Sequence, residues 1–358
     1  MKILLIALSG IGDALMFTPS VIKLKELYPD SEIDVLAMYK GVEHIYSRIP
    51  QINKVFIQDF MREGVIRSVV FILSFRGKYD ISFSVYPANR MEYNVISFMI
   101  GAKKRAGIRY LRDDFINMGF LNNVTCREDD NLHNVQENIN LVEKVSGQKI
   151  DSIPGLFFPL SNDDKYAARK FLDEYSISDN QLVIGFHPGC ATLKNHINRR
   201  WEPAKFSALG RKLIDNHHAK ILVFGGPEEQ KLKEDVLGGI NSPDAIAVNM
   251  RSLAQSAAVM KRCNVFVTND SSLMHVASAL KLKTVAIIGP TNVNYIQPWQ
   301  TEHKIASLNL DCAPCFFYSP KPLTCTRTDV EFKCVRELDI DLVYDAALSF
   351  IESRDNRN

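Results

Sequence analysis

The chain is 358 residues long, 46% apolar and 23% charged, with a formal net charge of +2. That is about two domains' worth of ordinary globular sequence, enough for two separate cores. The near-neutral balance excludes capture of nucleic acid or membrane by bulk charge, so partners have to be read from local sites.

Residues 1–8 (MKILLIAL) read as a short continuous apolar strand, the kind covered on both faces of a parallel sheet. Lys2 is followed by only six or so apolar residues before a glycine turn. No run of about 18 apolar residues occurs anywhere, so neither an export signal nor a membrane span is expected, and the expected location is the cytoplasm. A helix over residues 13–28 is predicted to stop at Pro29. Strands at 32–38, 54–58 and 79–86 then alternate with helices at 42–48 and 62–75, the pattern of a doubly wound α/β domain. Over residues 146–180 the pattern loosens into a linker and one amphipathic helix. Four strands that each end in a polar or glycine turn follow: QLVIGFHPG (181–189), AKILVFGGPEE (219–229), CNVFVTNDSSLMH (263–275) and KTVAIIGPTN (283–292). Their turns should share one edge of a second parallel sheet, the edge where such sheets bind ligands. The expected domains are therefore 1–155 and 156–335. Residues 336–358 form a terminal helix expected to pack back on the first domain.

The first turn, LSGIGDALMFTP, carries Gly10, Gly12 and Asp13. It begins like a dinucleotide fingerprint, but Leu15 stands where the third glycine belongs, and Asp13 would sit beside any pyrophosphate at that helix end. Asp13 has two readings. It caps the helix and complements its dipole, or it is a general base at a turn whose glycines let a bulky acceptor approach.

In the second half, HPGCATLKNHINRRW places Thr192, Lys194, Arg199 and Arg200 between a strand and a helix opened by Pro203. Cations at that density suit a diphosphate, which guanidinium groups bind bidentately, although a solvated basic loop has the same composition. Glu228 and Glu229 end the next strand; a carboxylate there accepts hydrogen bonds from a ribose diol or serves as a first-turn helix acid. Asp270, Ser271 and Ser272 open a helix whose free N–H groups and hydroxyls suit a phosphate, with His275 one turn on. Lys103, Arg105 and Arg109 belong to a basic stretch of the first domain, GAKKRAGIRYLRDD. It reads either as a surface for an acidic acceptor or as a solvated face. The late cysteines Cys312, Cys315, Cys325 and Cys334 resemble a small metal knuckle for structural zinc or iron, with free thiols as the other reading. The remaining three, Cys126, Cys190 and Cys263, are scattered and argue against a secreted disulfide framework.

Taken together, SGIGDALMFTP, HPG…NRRWEP, FGGPEE and TNDSSLMHVASALKLKTVAIIGPTN, in that order along nearly the whole chain, resemble glycosyltransferase family 9, the ADP-heptose:lipopolysaccharide heptosyltransferases. The resemblance implies an α/β GT-B fold, two Rossmann-like domains facing a central cleft, and inverting transfer of a heptose from ADP-heptose to a lipopolysaccharide-core or related glycan acceptor. It makes Asp13 the base, with the Gly10 and Gly12 turn on the acceptor side, and Lys103, Arg105 and Arg109 join that side on the reading of the basic stretch as an acceptor surface. Thr192, Lys194, Arg199, Arg200, Glu228 or Glu229, Asp270, Ser271, Ser272 and His275 become the donor side. The family often has Lys where Arg199-Arg200 stands and Thr-Gly where Ser271-Ser272 stands. No cofactor is required in this reading, since the one Asp-x-Asp, Asp339 and Asp341, opens the terminal helix where acids are expected. Nucleic acid is not an expected partner. A lipid-anchored acceptor would bring the enzyme to the cytoplasmic face of the inner membrane as a peripheral visitor. Two other classes compete: an NAD-type oxidoreductase using Gly10, Gly12 and Asp34, and a non-catalytic nucleotide-sugar binder.

Overall fold

The computed structural model describes residues 1–355. They divide into two compact units: Met1–Pro159 with Tyr318–Lys321, and Leu160–Phe317 with the chain from Pro322 onward. The boundary falls a few residues beyond the expected one, and a short late segment returns to the first unit.

The first unit runs β1 (Lys2–Ala7), α1 (Ile11–Met16), α2 (Thr18–Leu27), β2 (Glu32–Ala37), α3 (Lys40–Tyr46), β3 (Lys54–Ile57) and α4 (Val65–Leu73). It continues with β4 (Ile81–Ser84), α5 (Met91–Ile100), β5 (Lys104–Arg109), β6 (Val124–Arg127) and α6 (Asn134–Ser146). Its strands form one parallel sheet in the order β3-β2-β1-β4-β5-β6. In β1 every residue after Lys2 is buried, as a central strand covered on both faces requires. The chain reverses direction across the sheet between β1 and β4, which puts the switch point at the turns after those strands. The predicted single helix over 13–28 is broken at Phe17. Pro19 lies in the first turn of α2 and has no N–H to give to Leu15, and the Thr18 hydroxyl donates to the Leu15 carbonyl instead, at 2.7 Å.

The second unit runs α7 (Asn162–Glu174), β7 (Val183–His187), α8 (Pro203–His217), β8 (Lys220–Val223), α9 (Gln230–Ile240), β9 (Ala245–Ala247) and α10 (Leu253–Met260). Then come β10 (Val265–Asn269), α11 (Ser272–Ala279), β11 (Thr284–Ile287), α12 (Val293–Ile296), β12 (His303–Ala306), α13 (Lys333–Arg336) and α14 (Ile340–Asp355). The sheet is again parallel and six-stranded, in the order β12-β11-β10-β7-β8-β9, with its switch point between β7 and β10. The terminal helix α14 lies against α8 and the β10, β11 and β12 strands. Val343, Ala347, Phe350 and Ile351 complete the second unit's core beside Val285, Ile287 and Ala306. Among the described residues no helix is long and apolar enough to cross a membrane.

Candidate functional site

At the carboxyl edge of the first sheet, Gly10 is the N-cap of α1 and Asp13 its third residue. The Gly10 N–H donates to Asp13 Oδ2 at 2.9 Å, so the capping role of Asp13 is made in the structure. Gly12 is the second residue of α1. Nothing in the chain itself demands a glycine at position 10: its φ is −77°, and an added Cβ would meet only Asp13 Oδ2, at 3.6 Å. Two tyrosines brace the turn. The Tyr46 hydroxyl donates to the Ala14 carbonyl at 3.1 Å, and that of Tyr93 to the Leu8 carbonyl at 2.8 Å. Burial pushes both phenols above their usual range, and the nearby Asp13 charge adds to it, so both stay neutral donors. Arg90, the N-cap of α5, lies over the Tyr93 ring at 5.8 Å and brings a cation to the same edge.

The basic stretch is not gathered at this edge. Lys104 is level with Ile81, which is level with Ile3, so Lys103 and Arg105 lie at the amino edge of the sheet, opposite Asp13. Lys103 pairs with Asp80 at 2.8 Å, and Arg105 donates to the Leu121 and Ala102 carbonyls. Only Arg109 reaches the carboxyl end, and Asp114 holds it at 2.6 Å. Asp34, the acid a dinucleotide site would use, lies opposite Leu4 inside the sheet and not at the end of β2. It accepts from Asn53 and from the Tyr79 hydroxyl, both at 2.8 Å. That arrangement removes the ribose contact on which the oxidoreductase reading depends.

Beside this edge, Glu137 accepts from the Asp129 N–H at 2.7 Å through one oxygen while its other is buried without a hydrogen-bond partner. Burial, with the charges of Glu128, Asp129 and Asp130, raises it to about 7 from 4.5. An acid raised on folding binds its proton more tightly in the folded chain. Its contribution is therefore intact below about pH 4.5 and is lost as pH rises through about 7. Glu137→Gln is expected to flatten the fall in stability over that interval and to add on the order of 2 kcal/mol at about pH 8. Urea unfolding of both proteins at about pH 5 and about pH 8 measures it.

The second unit concentrates far more chemistry at its carboxyl edge. His187, the last residue of β7, is buried between two groups: Nδ1 is 2.9 Å from Ser271 Oγ and Nε2 is 3.1 Å from Glu229 Oε2. With Nε2–H given to the carboxylate, Nδ1 accepts the serine hydroxyl proton, and both contacts are satisfied. Burial alone would raise Glu229, but the hydrogen bond from His187, the Gly226 N–H at 3.0 Å and Arg200 at 3.6 Å hold it below the usual range. Glu229 reaches this position because residue 189 is glycine: a Cβ there would lie 1.7 Å from Glu229 Oε1. Of the two acids, Glu229 is therefore the buried one, and Glu228 is exposed.

Ser271 is the N-cap of α11, yet its side chain makes no capping bond to the helix. Its hydroxyl turns to His187 and to Thr268 Oγ1, 3.1 Å away, and the first-turn amides, Ser272's included, lack a side-chain cap. Asp270 accepts from Arg199 Nη1 and from the Thr291 hydroxyl, both at 2.6 Å. Arg199 is thus buried and neutralised, stacked over Phe316 at 5.5 Å. Arg200, one residue on, donates to the Cys190 carbonyl at 3.0 Å. The loop is anchored by fully buried Trp201, whose backbone N–H donates to Asn269 Oδ1 and whose indole N–H donates to the Leu338 carbonyl, both at 3.0 Å. His275 is buried, and burial pushes it down to about 4 against the opposing charge of Asp270, so it is neutral here. Burial and Arg199 lower His196 to about 4 as well, and its Nδ1 is 3.1 Å from Arg199 Nη2. Thr192 and Lys194 belong to the loop, Thr192 exposed and Lys194 half-buried. His187, Thr268 and Thr291 were not singled out in the sequence. The one signal for His187 was its place at a strand end before Pro-Gly.

The four late cysteines are all free; burial raises the Cys315 thiol and pushes that of Cys334 up to about 11, and the neighbouring cysteines add to both. Cys325 Sγ accepts from the Phe332 N–H at 3.2 Å, and Cys312 lies 3.7 Å from Arg327 Nη1. Among the described residues no three His, Cys, Asp or Glu side chains converge to hold a metal ion.

Two parallel doubly wound units with polar turns at each carboxyl edge are the architecture of GT-B glycosyltransferases. Residues 75–323 match the profile of glycosyltransferase family 9 (heptosyltransferase), and the chain belongs to that family. It is a glycosyltransferase. Its sequence is 24% identical to lipooligosaccharide heptosyltransferase 2 of Campylobacter jejuni subsp. jejuni serotype O:2, over 99% of each chain. Its fold matches the Escherichia coli ADP-heptose lps heptosyltransferase II structure with a TM-score of 0.73, at 21% identity over 99% of this chain and 100% of that one. It also matches E. coli heptosyltransferase WaaC with ADP-2-deoxy-2-fluoro heptose, with a TM-score of 0.65 at 17% identity over 99% and 100%.

Proposed function

We propose that this chain is an inverting heptosyltransferase of lipopolysaccharide or lipooligosaccharide core assembly that uses ADP-heptose. The observation that carries the donor side is the second unit's carboxyl edge. There an uncapped helix N-terminus that begins after Ser271, the Ser272 hydroxyl and Arg200 stand beside a buried, ionised Glu229. A diphosphate suits the first three groups, and a ribose diol suits a carboxylate. Relatives named for heptose transfer, and a structure of the same fold solved with an ADP-heptose analogue, support heptose and adenine.

In this reading the acceptor hydroxyl attacks the anomeric carbon as its bond to the diphosphate breaks, and Asp13 takes the hydroxyl proton. Space in front of Gly10, which the chain's own packing does not use, serves the acceptor. Charge growing on the departing ADP is met by Arg200 and the α11 amides, so transfer is expected to persist in EDTA. Arg199, bound to Asp270, holds the loop in place and leaves the diphosphate to Arg200. Thr192 and Lys194 line the donor loop, and His275 contributes a neutral donor. The acceptor is a lipid-anchored glycan, met at the cytoplasmic face of the inner membrane, and nucleic acid is not a partner.

Calorimetry with ADP, UDP, GDP and NAD in EDTA tests the donor. ADP is expected to bind preferentially, and Arg200→Ala to weaken it about tenfold to a hundredfold, the value of one charge-assisted contact. A preference for UDP or GDP would overturn the ADP-heptose assignment, and binding of NAD alone would sink the transferase mechanism.

A further inference from the structure

Helix α4 reads VIRSVVFIL and is apolar on the wrong side as well as the right one. Ser68 and Ile72 face the core, where Ile72 packs with Phe75 and Ile96. Ile66, Val70 and Leu73 point away from it, within an arc of about 60° at 3.6 residues per turn, and Val65 is exposed at the start of the helix. Ile66 is 82% exposed, Val65 79% and Val70 64%. A surface helix normally gives that face to polar residues, and one that is apolar all round is covered by something.

The apolar surface does not end at α4. The helix packs on α5, and α5 packs on the turn at Gly119–Leu121. Just before that turn, Phe115 and Ile116 are 79% and 72% exposed, with Phe120 5.6 Å from Phe115. Cations flank α4: Arg62, Arg67, Arg76 and Lys78 are all exposed, with Glu63 among them and Asp59 paired to Arg62 at 3.8 Å.

We propose that this face of the first unit, α4 together with the Phe115–Ile116 loop, docks on an anionic phospholipid bilayer. Aliphatic and phenyl side chains enter the acyl boundary, while the arginines and the lysine stay level with the phosphates. A second copy of the chain is a poorer occupant. A two-fold contact through the same patch would bring two cationic rims together. The proposal deepens the reading of a lipid-anchored acceptor, because it supplies the surface that brings the enzyme to that acceptor.

Cosedimentation of the full chain tests it, using vesicles of phosphatidylcholine alone and with phosphatidylglycerol added. Binding is expected on the anionic vesicles, weakening as salt rises. The pair Ile66→Asp and Val70→Asp should lower it about tenfold or more, with circular dichroism and ADP binding unchanged. A charge variant, Arg67→Glu with Lys78→Glu, should weaken binding to anionic vesicles while leaving the apolar face intact, and it answers the case in which the first pair does not fold. Wild-type protein that stays in the supernatant, or both variants binding as wild type does, overturns the proposal. So does concentration-dependent dimerisation that the aspartate pair abolishes in protein that never binds vesicles. No nucleotide or acceptor enters the assay, so its failure is separable from failure of the transferase reading.

Discussion

Asp13→Asn should lower sugar transfer by about 10²–10⁴-fold, the usual contribution of a positioned general base, while ADP binding stays close to that of the parent. Asparagine is the informative replacement because the Asp13 carboxylate does two jobs that alanine would remove together. It accepts the Gly10 N–H at 2.9 Å and so caps α1. An asparagine oxygen keeps that bond, and the helix start with it, whereas alanine would cost about 1 kcal/mol of local stability as well. Steady-state rates with donor and acceptor, set beside calorimetric ADP affinity, separate the roles. A large loss of turnover with affinity retained identifies the base. Full turnover in the asparagine protein would reduce Asp13 to a helix cap and favour a different proton acceptor.

Much of this arrangement was legible in the sequence because it is local. Continuous apolar runs marked the central strands, and the turns after β1, β7, β8 and β10 each carried glycine or polar residues at a strand end. Parallel strands bring such turns to one edge, so the grouping of Glu229, Asp270 and Ser271 followed from strand direction alone. What could not be read depends on pairings distant in the chain. The basic stretch around Lys103 looked like one patch, but its members occupy opposite ends of a strand. Their partners, such as Asp80, come from elsewhere in the fold. Arg199 and Arg200 are adjacent and chemically alike, yet one is clamped at 2.6 Å by Asp270, 71 positions away, while the other lies 3.6 Å from Glu229. His187 carried no spacing signal, since its meaning lies in two residues 84 and 42 positions downstream. Side-chain direction separates Glu229 from Glu228, and it depends on Gly189, another residue remote in sequence. The outward apolar face of α4 was hidden for a different reason: a run such as VIRSVVFIL fits a buried helix equally well.

Asp270→Asn should be among the most destabilising conservative changes available to the second unit, at about 3–5 kcal/mol. The side chains of Arg199 and Asp270 are only 10% and 8% exposed, and their ion pair is 2.6 Å long. Both charges left water on folding, and each depends on the other to offset that cost. Asparagine preserves shape and an acceptor for the Thr291 hydroxyl but leaves a guanidinium buried without a counter-charge. Arg199→Met is expected to be costly for the mirror-image reason. The double variant should cost less than the sum of the two, since it removes both charges and leaves neither stranded. Urea unfolding of the four proteins gives the coupling directly, and additive losses would mean that the pair contributes nothing beyond its separate contacts. The same series bears on function. Arg199 shares the loop with Arg200 and stacks over Phe316. If the pair serves to hold that loop, ADP affinity should fall in both single variants, recover in part in the double, and fail to recover when Arg200→Ala is added.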